Sequence, residues 1–150
     1  MKRVIDTNVL IAGLIRDSVV RKILTFPEFD FYIPEDAILE LEKYKLEIIE
    51  KAGYTNEEFE KIYSFLLESV KLISEREVRP YLARAEEIMK KIDIKDSSFI
   101  AAALAINAEG IWSFDGHFKE QKEIKIFDIE DLIKEMESYR EEEEDENYDE

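Results

Sequence analysis

Five short stretches rich in β-branched and aromatic residues recur along the chain with helix-forming segments between them, and this alternation constrains the fold more than any other feature. The strand-like stretches are KRVID (2–6), FDFYI (29–33), VKLI (70–73), GIWSF (110–114) and IKIF (124–127). Helical spacing of apolar residues predicts helices over 7–15, 21–25, 35–51, 57–69, 80–91, 95–107 and 129–139. Strands that alternate with helices in this way form a parallel sheet covered on both faces. Local signals sharpen the boundaries: Gly53 ends the helix over 35–51, Thr55 and Glu58 form a capping box, Pro80 suits a first turn and Asp128 caps the last helix. The segment over 95–107 is apolar on nearly all sides and rich in alanine, which predicts the buried central helix of the sheet.

A chain of 150 residues with 45% hydrophobic content builds a single core. The boundaries expected are a folded domain over 1–139 and an acidic, disordered tail over 140–150. Residues 141–150 (EEEEDENYDE) contain eight acids, half of the net charge of −16, and like charges with nothing apolar to bury resist folding. Zero cysteines exclude disulfides, thiol nucleophiles and thiolate metal sites. With Asp6 and Asn8 interrupting the N-terminal apolar stretch, and no apolar run of membrane-spanning length, neither secretion nor a membrane partner is expected, so the location expected is cytoplasmic.

In parallel α/β sheets ligands bind beyond the carboxyl ends of the strands, and acids fall there. Asp6 ends the first strand, Asp115 follows the fourth, Asp96 opens the alanine-rich helix and Glu40 lies on the helix after the second strand. Each has an ordinary structural role available: Asp6 as a helix cap, Asp96 as the acid that complements a helix dipole, Asp115 as a turn residue beside Gly116, Glu40 as a surface charge. Other chemistries have little material. His117 is the only histidine, no glycine-rich phosphate loop occurs, and Ser97 and Ser98 are placed as first-turn helix residues rather than nucleophiles. Arg16, Arg21 and Lys22 are the basic candidates for phosphate contacts.

In combination, DTNVL (6–10), PEDAILELEKY (34–44), DSSFIAAALA (96–105) and WSFDGHF (112–118) resemble the four blocks of a PIN domain, the fold of VapC-type ribonuclease toxins. The resemblance implies a three-layer α/β/α domain with a parallel sheet of about five short strands. It also implies catalytic, metal-binding acids at Asp6, Glu40, Asp96 and Asp115, with auxiliary polar roles for Thr7, Asn8 and Ser113. Many relatives carry a second acid two places after the one in the fourth block, where this chain has His117; Glu42 and Asp93 stand close to two assigned acids and are alternatives to them.

The chemistry is coherent. Mg²⁺ and Mn²⁺ prefer oxygen ligands, and clustered carboxylates raise one another's pKa unless cations fill the site. The function expected is a Mg²⁺- or Mn²⁺-dependent endoribonuclease with an RNA substrate, either the toxin of a toxin–antitoxin pair with a small antitoxin protein or an RNA-processing enzyme. The competing readings are a catalytically weak PIN-like scaffold for a protein partner and a small metal-dependent phosphatase. A homodimer is expected from the resemblance and from Phe59, Ile62, Phe65 and Leu66 on one helix, residues that suit the core equally well.

Overall fold

The computed structural model describes residues 1–15 and 18–148. Five parallel strands form one sheet: β1 (Lys2–Ile5), β2 (Asp30–Pro34), β3 (Val70–Ile73), β4 (Gly110–Trp112) and β5 (Ile126–Phe127), in the order β3-β2-β1-β4-β5. Helices cover both faces, which is the three-layer α/β/α architecture expected. They are α1 (Thr7–Ile15), α2 (Ser18–Leu24), α3 (Glu35–Lys43), α4 (Lys45–Ala52), α5 (Asn56–Glu68), α6 (Glu75–Val78), α7 (Leu82–Met89), α8 (Ser97–Ala105) and α9 (Ile129–Tyr148). Short 3₁₀ turns at Arg79–Tyr81, Ile94–Asp96 and Gly116–Glu120 complete the described elements.

The strand order follows from burial. β1 sits at the centre, with Val4 and Ile5 fully buried, and pairs with β2 on one side and β4 on the other. From β1 the chain first winds outward through β2 and β3, then returns across the sheet to β4 and β5. The crevice between the carboxyl ends of β1 and β4 is therefore the point where the winding reverses, the position where open α/β sheets bind ligands. The alanines of α8 let it lie close on the sheet: Ile100, Ala101, Ala102 and Ala103 are all buried. Gly110 opens β4 because a Cβ there would run into the Lys125 carbonyl and stand 2.7 Å from the Phe127 ring.

Several local expectations hold. The Thr55 hydroxyl accepts the Glu58 N–H at 3.1 Å and opens α5. Asp128 and Asp131 exchange backbone-to-carboxylate bonds of 2.9 Å each at the start of α9. Three expectations are corrected. The helix expected over 35–51 breaks at Tyr44, whose φ of −101° and ψ of 9° end α3 and start α4. A continuous helix would direct Tyr44 or Lys45 toward the slot between the buried Leu41 and Ile48, and the break keeps both out of the core. The helix α5 does not present an apolar face: Phe59 and Leu66 are fully buried against the core, Ile62 is half-buried, and only Phe65 is exposed. The acidic segment is helical to Tyr148 rather than disordered, because glutamate is a good helix former and α9 is already nucleated by its packed first half. The last described side chain of α9 that packs on the core is Tyr139, whose ring lies 5.9 Å from Phe26. No helix among the described residues is long and apolar enough to cross a membrane.

Candidate active site

The turn from β1 into α1 places Asp6 at the winding-reversal crevice. Its backbone N–H extends the β1–β4 pairing by donating to the Trp112 carbonyl at 3.1 Å. Its side chain is only 5% exposed, and each carboxylate oxygen has one donor. Asn8 N–H donates to Oδ1 at 2.8 Å, the helix-capping role, while Ser113 Oγ–H donates to Oδ2 at 2.7 Å. A carboxylate has about four lone-pair sites, so two hydrogen bonds orient Asp6 and leave it able to bind a cation. Burial pushes the Asp6 carboxyl above its ordinary range and the Asp115 charge adds to the push, against the two hydrogen bonds that favour the charged form.

Ser113 links two acids. Its Oγ also accepts the Asp115 N–H at 2.9 Å, and Asp115 in turn caps the following 3₁₀ turn by accepting His117 N–H at 2.9 Å. The exposed His117 ring stands beside it, with Nδ1 3.4 Å from Asp115 Oδ1. Asp96 enters from the other side, at the N-terminus of α8, where its side chain makes no capping bond to the helix. Its carboxyl is pushed up to about 6, first by burial and then by the negative charges of Asp93, Asp6 and Asp115, with His117 opposing. Glu40 reaches the site from the exposed side of α3.

Asp6, Glu40 and Asp96 line one cleft of about 420 Å³ together with Thr7 and Asn8; Asp115 stands outside its lining and acts on the cleft through Ser113 and by its charge. The donor set suits a hard divalent cation: carboxylates only, with the buried hydroxyls of Thr7 and Ser97 beside Asp6 and Asp96 left without hydrogen-bond partners. Among the described residues no three His, Asp or Glu side chains converge closely enough to enclose an ion unaided. Mg²⁺ does not require that, since it commonly takes one or two carboxylates and completes its shell with water and substrate phosphate.

The neighbouring acids go elsewhere. Glu42 lines a separate cleft with Lys45, Glu60 and Tyr63, where its charge helps push the Tyr63 hydroxyl up to about 12. Asp93 caps the turn before α8 by accepting Lys95 N–H at 3.1 Å. Of the basic candidates, Arg21 uses its guanidinium on the Gly13 carbonyl, on the Leu14 carbonyl at 3.0 Å and on the Tyr54 hydroxyl, so it closes the end of α1 rather than facing the acids. Lys22 lines a groove between α2 and α9 with Arg140, and Arg16 lies outside the described residues. The basic residue that does line the acidic cleft is Lys51, on α4. Its signal was the spacing of residues 44, 47, 48 and 51, which puts Tyr44, Glu47, Ile48 and Lys51 on one helix face.

A parallel α/β domain with a buried carboxylate and further acids at the reversal point of its sheet defines a class of acid-cleft proteins. Within that class the chain belongs to the PIN-domain family, whose model matches residues 4–126. Among solved structures it is similar to a chain of VapBC2 from Rickettsia felis, a complex bound to a DNA fragment from its promoter. The TM-score is 0.65 at 16% identity, over 85% of this chain and 98% of the other, a likeness of fold. None of the curated proteins matches it.

Proposed function

We propose that this protein is a Mg²⁺- or Mn²⁺-dependent endoribonuclease acting in the cytoplasm, with Asp6, Glu40, Asp96 and Asp115 as its catalytic acids. The observation that carries the reading is that Asp6, Glu40 and Asp96, three of the four carboxylates lining one cleft, stand at the sheet's reversal point, with Asp96 held at about 6 by burial and by its acidic neighbours. An ordinary surface role would leave these acids apart, whereas here Asp6 and Asp96 are pushed up by burial and by neighbouring acids, a repulsion that a bound cation would relieve. Asp6, Glu40 and Asp96 would hold the metal. Once bound, it would supply Lewis-acid activation of the phosphodiester and stabilisation of the leaving oxygen.

The chain's own residues do the positioning. Ser113 and the Asn8 backbone fix the Asp6 carboxylate by one bond to each oxygen, and Ser113 ties the Asp115 backbone to the same unit. The free N-terminus of α8 points its positive dipole end at the Asp96 position, favouring anionic groups there. The similarity in fold to a chain of a VapBC complex supports a toxin role with a small antitoxin protein as partner. Self-association is a separate matter that light scattering across a concentration series decides, since the apolar residues first suggested for it are largely core.

The test is cleavage of single-stranded RNA by the purified chain with Mn²⁺, with chelator, and with Asp6→Asn, alongside a phosphomonoester control. Metal-dependent RNA cleavage lost in Asp6→Asn supports the reading. Phosphomonoester turnover instead would make it a phosphatase. The binding-scaffold reading draws on His117 in place of a second acid, and metal binding without cleavage would favour it.

A further inference from the structure

The acidic cleft changes character along its length. Asp6, Glu40 and Asp96 gather where α1 begins, but α1 then runs away from them, and Ile15 lies about 12 Å beyond Thr7 at the usual rise of a helix; one further acid, Glu47, lines the cleft from α4, a turn before Lys51. That far half is floored by Ile11 and Ile15 of α1 and Ile48 of α4, and at its end stands Lys51. Tyr44 lines it at the break between α3 and α4, 46% exposed and part of none of the ring pairs of the core. Lys51 forms no ion pair among the described residues, although the chain carries sixteen more acids than bases. The same cleft thus joins acids, an apolar floor, an open aromatic ring and a cation with no ion pair among the described residues.

We infer that this half of the cleft seats one unpaired nucleobase next to the scissile phosphate, stacked on Tyr44, with Lys51 holding the phosphate that follows. The inference rests on the nuclease reading above and goes further, since it names the residues that seat a base and hold the phosphate after it. A base inside a duplex has no free face, whereas a splayed base presents one to an aromatic side chain whatever its identity. The helix break is what makes the seat: an unbroken helix over the same residues would send Tyr44 or Lys45 toward the core. Lys51 then supplies a cation where the strand's backbone leaves the acids, so the cleft would take one phosphate at the cation that Asp6, Glu40 and Asp96 hold, then the base on Tyr44, then the next phosphate on Lys51.

The test uses the full-length chain and a short single-stranded RNA carrying 2-aminopurine at each position in turn, in chelator and at low salt. Stacking on Tyr44 quenches the probe at one position. Tyr44→Ala is expected to abolish that quench and weaken affinity roughly 5- to 100-fold, the cost of one lost base stack. Tyr44→Phe keeps the ring and is expected to restore the quench. Lys51→Ala is expected to lower the slope of log affinity against log salt by about one contact. A quench and affinity unchanged in Tyr44→Ala overturn the base seat, and if the same preparation still cleaves RNA with Mn²⁺, the nuclease reading survives that failure. Failure of the wild type both to bind the RNA and to cleave it overturns both.

Discussion

Two buried charges stand three residues apart at the centre of the sheet, and they are treated in opposite ways. Arg3 is 2% exposed and its charge is answered by two carboxylates, although its Nε–H has no hydrogen-bond partner among the described residues: its guanidinium reaches Glu135 at 2.5 Å and Glu109 at 3.1 Å, and lies over the rings of Phe29 and Phe127 at 5.3 and 4.6 Å. Asp6 is nearly as buried and, among the described residues, meets no cation, only two hydrogen-bond donors and further acids. The first is how a fold neutralises a charge for its own sake, tying α9 to β1. The second is a charge that no described cation answers, which costs stability and suits the metal-binding role proposed for Asp6. The sign of the neighbours, rather than burial, separates architecture from function here.

Substitution breaks the comparison most sharply. Asp6→Asn is expected to cut RNA cleavage by at least about 100-fold, more than the loss of a supporting residue costs at a metal site. At the other charge, Arg3→Met leaves Glu109 and Glu135 facing each other. Those acids are partly exposed, so the expected loss is about 2–3 kcal/mol by urea denaturation, below the about 3–5 kcal/mol of fully buried pairs, with the metal response intact.

Asp96→Asn has the opposite sign: it removes repulsion, so the metal-free protein melts higher at pH 7 while cleavage is lost. The pH dependence follows the same logic. Asp6 and Asp96 have folded-state pKa values above their unfolded ones, so their contribution to stability is fully present below about pH 4 and is lost as pH rises through about 6 for Asp96. The metal-free wild type should therefore melt lower at pH 7.5 than at pH 5, and Asp96→Asn should flatten that difference. Asp128, held below its ordinary value by the Asp131 N–H, contributes stability that disappears only at more acidic pH and leaves this window clear. The smallest effect is expected at the tail. Deleting 141–150 takes the formal charge from −16 to −8, leaves the melting curve nearly unchanged, and raises RNA affinity at low salt by an amount that fades within the screening of about 150 mM salt. Equal binding by both forms at low salt would remove the tail's repulsive role.

The strands, the buried α8 and the acids were legible because each rests on local pattern: β-branched runs, alanine packing, and acids at strand ends and helix starts. What was not legible depends on contacts distant in sequence. Arg21 looked like a phosphate ligand, but it meets Tyr54, 33 positions away, at the end of α1. Phe59 and Leu66 suited an interface and the core equally, because periodicity does not reveal that α5 packs on α1. The role of Ser113 between Asp6 and Asp115 follows from the adjacency of β1 and β4, which a linear reading does not show. Lys51 and Tyr44 reach the cleft only because the helix breaks and α4 then packs against α1.

The central claim is that the unanswered charge at Asp6 awaits a divalent cation, and a Mn²⁺ titration of the metal-free protein followed by thermal melting tests it most directly. A saturable rise in Tm is predicted for wild type, because an ion that binds only the folded cleft stabilises it by mass action, with the rise lost in Asp6→Asn and retained in Arg3→Met. A wild-type Tm that stays flat up to about millimolar metal, the range of weak oxygen-ligand sites, or a rise that survives unchanged in Asp6→Asn, would contradict it.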